Sequence, residues 1–259
     1  MGPDVVKILG CRGSVPVSGP QFARFGGNTL CIFVRLGGQP LVLDAGTGIL
    51  SLPSVLEPTE RTVPLLLTHG HADHLLGLPL CGCLTEPDFS MTVYAKPRAG
   101  LDAGGQVRRL LSPPLWPVGP EALPAALRFA PLTDGLQLGP VTVRTLAGIH
   151  PGGVTLLRLD CGGKSVALIT DCTLTDDFLP TAAAFAADCD LLLCDGQYTD
   201  AEWADRADYG HSTMEAAVTL GRLCRAGSLR LLHHDPTHDD ATLGTLSYPF
   251  AFDGEEVFL

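Results

Sequence analysis

The histidines of this chain lie in segments that are typical of metal-binding and acid–base sites. There are eight of them, and each lies in a glycine- or aspartate-bearing segment at the predicted end of a strand or start of a helix. The densest segment, residues 68–74, reads Thr-His-Gly-His-Ala-Asp-His directly after an apolar run. Imidazole and carboxylate groups suit zinc, manganese or iron. So many ligands in one loop exceed the needs of one tetrahedral ion, and the segment therefore predicts a pair of ions.

Short aliphatic runs bounded by glycine and proline predict the strands that position these residues. The predicted strands are 5–9, 30–35, 40–44, 63–68, 141–145, 155–160, 165–170, 190–194 and 229–232. Glycine pairs at 37–38 and 162–163 predict tight turns. Helices are predicted at 75–84, 101–111, 178–187 and 213–225, the last with Ser212 as N-cap and Glu215 completing a capping box. Residues 112–131 hold six prolines and are predicted to be a surface loop.

Composition and charge restrict the class of protein and its partners. The chain is 46% hydrophobic and 17% charged, which is typical of a globular protein. No apolar run approaches the roughly 20 residues that span a membrane, and no secretory signal is visible, so a cytoplasmic protein without a membrane partner is expected. The net charge of −11 disfavours a large nucleic acid as partner. One domain, 1–259, of layered sheets covered by helices is predicted, and a homodimer stays open.

The cysteines are predicted to be structural rather than metal-binding. There are nine, widely scattered, and without an export signal they are expected to be reduced thiols that pack as small apolar side chains. Cys81 and Cys83 form the one close pair. A thiolate metal site there would need further cysteine or histidine partners nearby, so buried thiols are the favoured interpretation and the metal site the alternative.

The order of the motifs resembles the metallo-β-lactamase superfamily. Its signature, His69-x-His71-x-Asp73-His74 after an apolar strand, is present in full. Four further segments follow the order of the superfamily around it: Leu43-Asp44-Ala45-Gly46, Gly148-Ile149-His150-Pro151, Ile169-Thr170-Asp171 and Leu231-Leu232-His233. The resemblance covers nearly the whole chain. It implies an α/β fold, a four-layer αββα sandwich of two mixed β-sheets.

The resemblance also implies two adjacent divalent metal ions. Carried over residue by residue, the ligands are His69, His71 and His150 for the first ion, Asp73, His74 and His233 for the second, and Asp171 between them. His234 is an alternative to His233, which is favoured because it follows the aliphatic run directly. Zinc is expected, and manganese or iron would accept the same ligands.

A further resemblance is to the phosphodiesterase branch, which includes the tRNA tail-processing endonucleases. Asp195 at a strand end and His211 just before a helix match its pattern, as do the segments 9–14 and 26–29. Those endonucleases insert a long arm where this chain has only residues 151–170. Together with the acidic charge, this favours a small anionic phosphodiester, such as a cyclic nucleotide or a sugar-phosphate diester, as substrate.

The implied mechanism assigns roles to five side chains. A metal-bridging hydroxide would attack phosphorus, Asp73 would also orient the proton of the nucleophile, and His211, held by Asp195, would protonate the leaving oxygen. The predicted helix that starts beside His211 would favour an anion. Asp44 is expected to support a ligand imidazole or to be a simple turn residue. Asn28 is expected to contact substrate or to be an ordinary loop amide.

Two alternative functions remain compatible with the same motifs. A lactonase or thioesterase of this fold would use a similar metal site. A metal- or redox-sensing binding protein would keep the ligands without turnover, although a sensor needs no leaving-group acid at His211. A true β-lactamase is disfavoured because the Asp73-His74 pair is intact, the shared position is the aspartate Asp171, and no export signal is visible.

Overall fold

The computed structural model describes residues 2–259 of the chain. This part contains thirteen β-strands and five α-helices, joined by loops and short 3-10 helices. The strands are β1 Val5–Gly10, β2 Cys31–Leu36, β3 Gln39–Leu43, β4 Thr62–Leu67, β5 Ser90–Ala95, β6 Ala126–Pro131, β7 Leu136–Leu138, β8 Val141–Gly148, β9 Val154–Cys161, β10 Lys164–Ile169, β11 Leu191–Asp195, β12 Ser228–Leu232 and β13 Glu256–Phe258. The helices are α1 Ala103–Leu110, α2 Leu179–Phe185, α3 Asp200–Trp203, α4 Met214–Leu223 and α5 Asp240–Thr245. None of these helices is long and apolar enough to cross a membrane.

The strands form two mixed sheets. The first has the order β13-β1-β2-β3-β4-β5-β6 and the second the order β12-β11-β10-β9-β8-β7. Strands β3 to β6 are parallel in the first sheet, and β10 to β12 are parallel in the second. Parallel strands end at the same edge of their sheet. Each sheet therefore presents several strand-end loops together.

Alternating apolar side chains build the hydrophobic layers on either side of each sheet. In β10, Val166 and Leu168 face the core between the two sheets, whereas Ala167 and Ile169 face the outer core that α2 and α4 cover. The outer face of the first sheet is covered by α1 and by short 3-10 turns. Because both faces of both sheets are buried, the predicted four-layer αββα sandwich is confirmed.

The two predicted glycine turns are also confirmed. Gly37 and Gly38 join β2 to β3 with φ values of 56° and 80°, and Gly162 and Gly163 join β9 to β10 with 57° and 84°. A two-residue turn whose twist matches that of the strands needs positive φ at both positions, which glycine adopts without strain.

The predicted helix at 75–84 is wrong. The segment instead forms two short 3-10 turns, Leu78–Leu80 and Gly82–Thr85. Gly77 packs so closely on the strand-end loop that a Cβ there would lie 2.2 Å from the carbonyl oxygen of Gly46. Pro79, inside the predicted span, has no amide hydrogen, and its ring would clash with the carbonyl four residues earlier, so the segment does not continue as an α-helix.

The predicted loop at 112–131 is wrong over its last six residues. Ala126–Pro131 is β6, and it pairs in parallel with β5, a strand that the sequence analysis did not predict. β6 lies at the edge of the first sheet, where a missing amide hydrogen interrupts no ladder. The prolines predicted irregular structure throughout the segment, but its last six residues form an edge strand.

The N-cap of α4 is Thr213 and not Ser212. The Thr213 hydroxyl accepts a hydrogen bond from the backbone amide of a first-turn residue. The Ser212 hydroxyl instead accepts from the amide of Leu174 and donates to the carbonyl of Cys172. The predicted capping box of Ser212 with Glu215 is therefore absent, and Ser212 joins the segment before α4 to the loop after β10.

The cysteines are free thiols, as predicted. Eight of the nine are buried, Cys81 and Cys83 among them. No group of potential metal ligands within residues 2–259 includes a cysteine. The pair therefore contributes to the core beside the first sheet.

Truncation of one inter-sheet side chain tests this layer. Leu168 is fully buried between the sheets, so Leu168→Ala is expected to lower the free energy of unfolding by about 2–5 kcal/mol through the cavity that it leaves. Leu223→Ala, at a side chain that is 52% exposed, is the control and should change it by less than about 0.5 kcal/mol. Urea unfolding measures both, and equal losses would contradict the assigned core.

Candidate metal centre

The predicted metal ligands and Asp44, the residue expected to support one of them, meet at the ends of strands from both sheets. Asp44 directly follows β3, His233 follows β12, and Asp171 lies just beyond β10. These three residues have φ values of 58°, 61° and 51°, in the left-handed region that residues other than glycine seldom adopt. The chain thus turns sharply as it leaves each sheet, while the side chains stay at the shared edge.

Three histidines form a first cluster, here called the histidine group: His69, His71 and His150. Nδ1 of His71 lies 2.9 Å from Nε2 of His69 and 3.1 Å from Nε2 of His150. The side chains of His69 and His150 are buried, whereas His71 is exposed. Burial lowers the pKa of all three imidazoles, which favours their neutral forms.

The outer hydrogen bonds of the histidine group determine which nitrogens carry protons. Nδ1 of His150 donates to the carbonyl of Gly210 at 2.9 Å. The Thr68 hydroxyl donates to a buried carboxylate, so it accepts from Nδ1 of His69 at 3.1 Å. The Nε2 atoms of His69 and His150 therefore carry lone pairs, and both face Nδ1 of His71. A single proton on that nitrogen could form a hydrogen bond with only one of them. Such converging lone pairs are the arrangement of a cation site.

Two histidines and two carboxylates form a second cluster, here called the mixed group: Asp73, His74, Asp171 and His233. Nε2 of His74 lies 3.4 Å from Oδ2 of Asp73 and 3.3 Å from Oδ2 of Asp171. Nε2 of His233 lies 3.2 Å from an oxygen of each carboxylate. Asp171 faces both groups, since its Oδ1 is also 3.8 Å from Nε2 of His69.

The mixed group is a strongly negative environment. Burial opposes charge on each member, yet the neighbouring carboxylates raise the pKa of His74 well above its usual value and that of His233 to about 10. Burial likewise raises the pKa of Asp73 and Asp171, but the two imidazoles outweigh it and lower both below their ordinary values. Positive charge is therefore favoured here, and a divalent ion could replace the two imidazole protons.

Outer hydrogen bonds also orient both imidazoles of the mixed group. Nδ1 of His74 donates to Asp44 at 2.8 Å, and Nδ1 of His233 donates to Oε1 of Gln197 at 2.8 Å. Both Nε2 atoms are left facing the carboxylates. Asp44 thus makes the contact with a candidate ligand imidazole that the sequence analysis expected. Gln197 was missed, and its one signal was its place two residues after the strand-end Asp195.

The loop after β1 closes the site from the other side. The backbone amide of Ser14 donates to Oδ2 of Asp73 at 2.8 Å. Gly13 packs on the ring of His233, where a Cβ would lie 2.2 Å from Nδ1. Residues 9–14 belong to the resemblance to the phosphodiesterase branch, but the sequence predicts neither contact, because both join residues far apart in the chain.

His211 and Asp195 form a pair beside both groups. Nδ1 of His211 donates to Oδ2 of Asp195 at 2.8 Å, which leaves Nε2 available for proton transfer. The His211 ring centroid lies 4.7 Å from that of His233 and 5.2 Å from that of His150. A cavity of about 450 Å³, lined also by Trp203, adjoins His211. There is room for a substrate group next to this imidazole.

Two other residues singled out from the sequence lie outside the groups. Nε2 of His234 donates to the carbonyl of Ala251 at 2.9 Å, and burial lowers the pKa of His234 to about 3. Of the two adjacent histidines, only His233 therefore joins the mixed group. The side-chain oxygen of Asn28 accepts from the hydroxyl of Thr47 at 3.3 Å, so this amide supports the loop next to the site.

The donor atoms of the two groups fit divalent metal ions. Nε2 of His74 is buried and makes no hydrogen bond of good geometry within residues 2–259, although two carboxylate oxygens lie 3.3 and 3.4 Å away. An unpartnered buried nitrogen is costly unless an ion binds it. Imidazole nitrogens alone in one group, and imidazoles with carboxylates in the other, are ligands that zinc, manganese and iron accept.

Comparison with known protein families agrees with this geometry. A β-lactamase superfamily domain matches residues 40–234, a span that begins in β3 and ends at the paired histidines after β12. The chain belongs to this superfamily. As a member with this His/Asp site, it is a metal-dependent hydrolase of the metallo-β-lactamase fold.

Two similar superfamily members match over most of their length. The probable metallo-hydrolase YhfI of Bacillus subtilis is 26% identical over 240 residues, which cover 91% of this chain and 89% of that protein. A ribonuclease Z of Bradyrhizobium sp. is 27% identical over 81% of this chain and 84% of its own length. One of these two relatives is named as a ribonuclease, which agrees with the resemblance to the phosphodiesterase branch.

Solved structures show the same fold for the superfamily. The crystal structure of YhfI aligns with a TM-score of 0.75 at 20% identity, over 99% of this chain and 100% of that chain. The short form of human tRNase Z aligns with a TM-score of 0.71 at 19% identity, over 98% of each chain. The order of layers and strands in this chain is therefore that of known metallo-β-lactamase folds.

Removal of the negative charge that supports His74 tests the metal centre. Asp44→Asn keeps the shape of the side chain but loses an acceptor, which allows the His74 proton to move to Nε2 and block the lone pair. The affinity for zinc is expected to fall about 10–100-fold. Competition with a chromogenic chelator measures it. Asp177→Asn, at an exposed carboxylate, should bind zinc as the wild type does, and equal affinities of all three proteins would contradict the role of Asp44.

The buried His234 makes a separate prediction about pH. Its folded-state pKa of about 3 lies below the ordinary value of about 6.5, so between these values the unfolded chain binds a proton that the folded protein does not. Above about pH 6.5 the neutral His234 does not reduce the free energy of unfolding. As the pH falls below this value, protonation of the unfolded chain lowers that free energy. His234→Gln keeps a donor for the Ala251 carbonyl and should flatten the acid-side decline in the free energy of unfolding. Urea unfolding across pH tests this, and an unchanged slope would contradict it.

Proposed function

We propose that this hydrolase is a dinuclear metal-dependent phosphodiesterase that acts on a small anionic phosphodiester. The observation that carries the proposal is the His211–Asp195 pair, joined at 2.8 Å and packed against both ligand groups. A metal site alone would serve many hydrolases of this fold. A buried, oriented imidazole beside it suits a reaction whose leaving group is a poor alkoxide that needs a proton.

The two groups would each hold one ion, with Asp171 shared. The histidine group would bind the first ion, and Asp73, His74 and His233 the second. Asp171 supports the sharing because its Oδ1 faces both groups. It lies 3.2 Å from Nε2 of His233 in the mixed group and 3.9 Å from Nε2 of His150 in the histidine group. Bound divalent ions supply Lewis acidity and lower the pKa of water. Zinc is proposed first, with manganese or iron as alternatives.

The protein's own residues then hold and move protons. The Ser14 amide fixes Oδ2 of Asp73, and we assign to Asp73 a second role in orienting the proton of the attacking water. Asp195 holds the proton on Nδ1 of His211, so Nε2 of a protonated His211 can give its proton to the leaving oxygen. The start of α4 contributes less than the sequence suggested, because the amide of Met214 already donates to the carbonyl of Tyr198.

Charge and topology support a small substrate over a folded RNA. The chain carries a net charge of −11, which repels an extended phosphate backbone. Residues 151–170, where the tRNA-processing relatives carry an arm, are mainly occupied by β9 and β10, an antiparallel pair within the second sheet. A cyclic nucleotide or a sugar-phosphate diester needs neither an arm nor a basic surface.

RNA cleavage is the second candidate, and the names of the relatives favour it. Ribonuclease Z from Bradyrhizobium covers most of this chain, and a zinc phosphodiesterase of Homo sapiens matches 61% of it at 27% identity. Cleavage of a precursor tRNA at least as efficient as that of any small diester would favour this candidate.

A substrate panel tests the proposed reaction class. The purified protein, loaded with zinc or manganese, is expected to hydrolyse bis(p-nitrophenyl) phosphate and cyclic nucleotides. It should leave lactones and glutathione thioesters intact. Activity confined to lactones or thioesters would replace the proposal with the other hydrolases of this fold, and a metal-loaded protein inert to every ester would favour a sensor.

Substitution of His211 tests the assigned acid through its dependence on the leaving group. His211→Ala should lower kcat for a cyclic nucleotide roughly 10²–10⁴-fold, because an alkoxide needs a proton to leave. For bis(p-nitrophenyl) phosphate the loss should be smaller than about tenfold, since nitrophenolate leaves without one. Metal content, measured alongside by elemental analysis, should not change. Equal losses on both substrates, or loss of metal, would contradict the role.

A further inference from the structure

A second cavity borders the histidine group and shares no lining residue with the cavity beside His211. It has a volume of about 170 Å³ and reaches the side chains of His69 and His71. Two arginines, Arg98 and Arg109, line it, and none of its lining residues is acidic. In a chain with a net charge of −11, this is a locally positive recess next to the proposed metal site.

Arg98 lies in the wall of this cavity, and its partly buried guanidinium has lost some of its contacts with water. Its Nη2 donates to the carbonyl of Thr68 at 3.3 Å and to the hydroxyl of Thr155 at 2.6 Å. Gly153 allows the close approach, because a Cβ there would lie 2.5 Å from Nη1. The buried Nε has no hydrogen-bond partner in the described chain, and burial lowers the pKa of Arg98. An anion in the cavity would offset this loss of hydration.

Gln106 adds a fixed acceptor to the same wall. Its Nε2 donates to the carbonyls of Lys96 at 2.9 Å and Leu101 at 3.3 Å, which sets the orientation of the amide. Its Oε1 points toward Gly70, on the cavity wall, and has no donor among residues 2–259, although the residue is only 5% exposed. A buried acceptor without a donor is costly. A hydroxyl group of a ligand would satisfy it.

We propose that Arg98, Arg109 and Gln106 form a subsite for a second, terminal phosphate of the substrate and for a hydroxyl group beside it. The guanidinium groups would bind the phosphate oxygens, and Oε1 of Gln106 would accept from the hydroxyl. The inference rests on the proposed function, because it takes the scissile diester to lie at the metal groups. It narrows the substrate to a small sugar-phosphate diester that carries another phosphate.

Arg109 offers the clearest variant. Arg98 supports Thr68, the residue before His69, so its replacement would disturb the histidine group as well. Arg109 is exposed, and Arg109→Gln removes only its guanidinium. Arg108→Gln is a matched control, because Arg108 is the adjacent exposed arginine of α1, donates to Glu121 at 2.7 Å and does not line the cavity.

Two substrates that differ by one phosphate test the subsite. These are uridine 5′-(p-nitrophenyl phosphate) and the same compound with a 3′-phosphate, which keeps the 2′-hydroxyl beside the added phosphate. Zinc-loaded protein is assayed with both. The wild type should show a KM about tenfold lower for the phosphorylated compound, the worth of a hydrogen-bonded ion contact. Arg108→Gln should keep this preference, and Arg109→Gln should lose most of it.

The outcomes separate the subsite from the proposed function. If the wild type hydrolyses both compounds with equal KM, or if both variants keep the preference, the subsite is wrong and the phosphodiesterase stands. If neither compound is hydrolysed, the proposed function fails, and calorimetric binding of ribose 5-phosphate tests the subsite alone. The wild type and Arg108→Gln should then bind this probe about tenfold more tightly than Arg109→Gln; equal affinities overturn the proposal.

Discussion

Imidazole lone pairs and buried carboxylates converge where strands of both sheets end, and the hydrogen bonds around them keep them facing one another. Hydrogen bonds from Thr68 and Gly210 fix the protons of the histidine group on its outer nitrogens. Asp44 and Gln197 do the same for the mixed group. Without a bound cation, the facing nitrogens of the histidine group have too few protons to share, and only protons on His74 and His233 offset the carboxylate charge of the mixed group. In our account, two metal ions supply the positive charge and at the same time the chemistry.

The fold meets this constraint by ending strands of two sheets at one edge. Asp44, Asp171 and His233 leave their strands with positive φ, a strained conformation that the packed sheets stabilise. Close contacts fill the remaining space, such as Gly13 against the ring of His233. The inter-sheet core fixes the register of the strands, and the positions of the site residues at the strand ends depend on that register.

The parts of the structure that follow from local chemistry were the ones that the sequence predicted. The aliphatic runs bounded by glycine and proline, the two glycine turns and the dense segment 68–74 are local signals. The errors have two sources. The helix predicted at 75–84 overlooked a local signal, Pro79 in its interior, whereas β6 becomes a strand through a distant contact, its pairing with β5. Gln197 and the cavity wall at Gln106 carry no motif, because their roles come from partners far away in the chain.

Anomalous diffraction can count the bound metal ions and locate them within the site. Crystals of zinc-loaded protein, measured by anomalous diffraction above and below the zinc edge, should show two peaks in each chain. One should lie within the histidine group and the other within the mixed group, with Asp171 between them. A single peak, or peaks outside the two groups, would contradict the account.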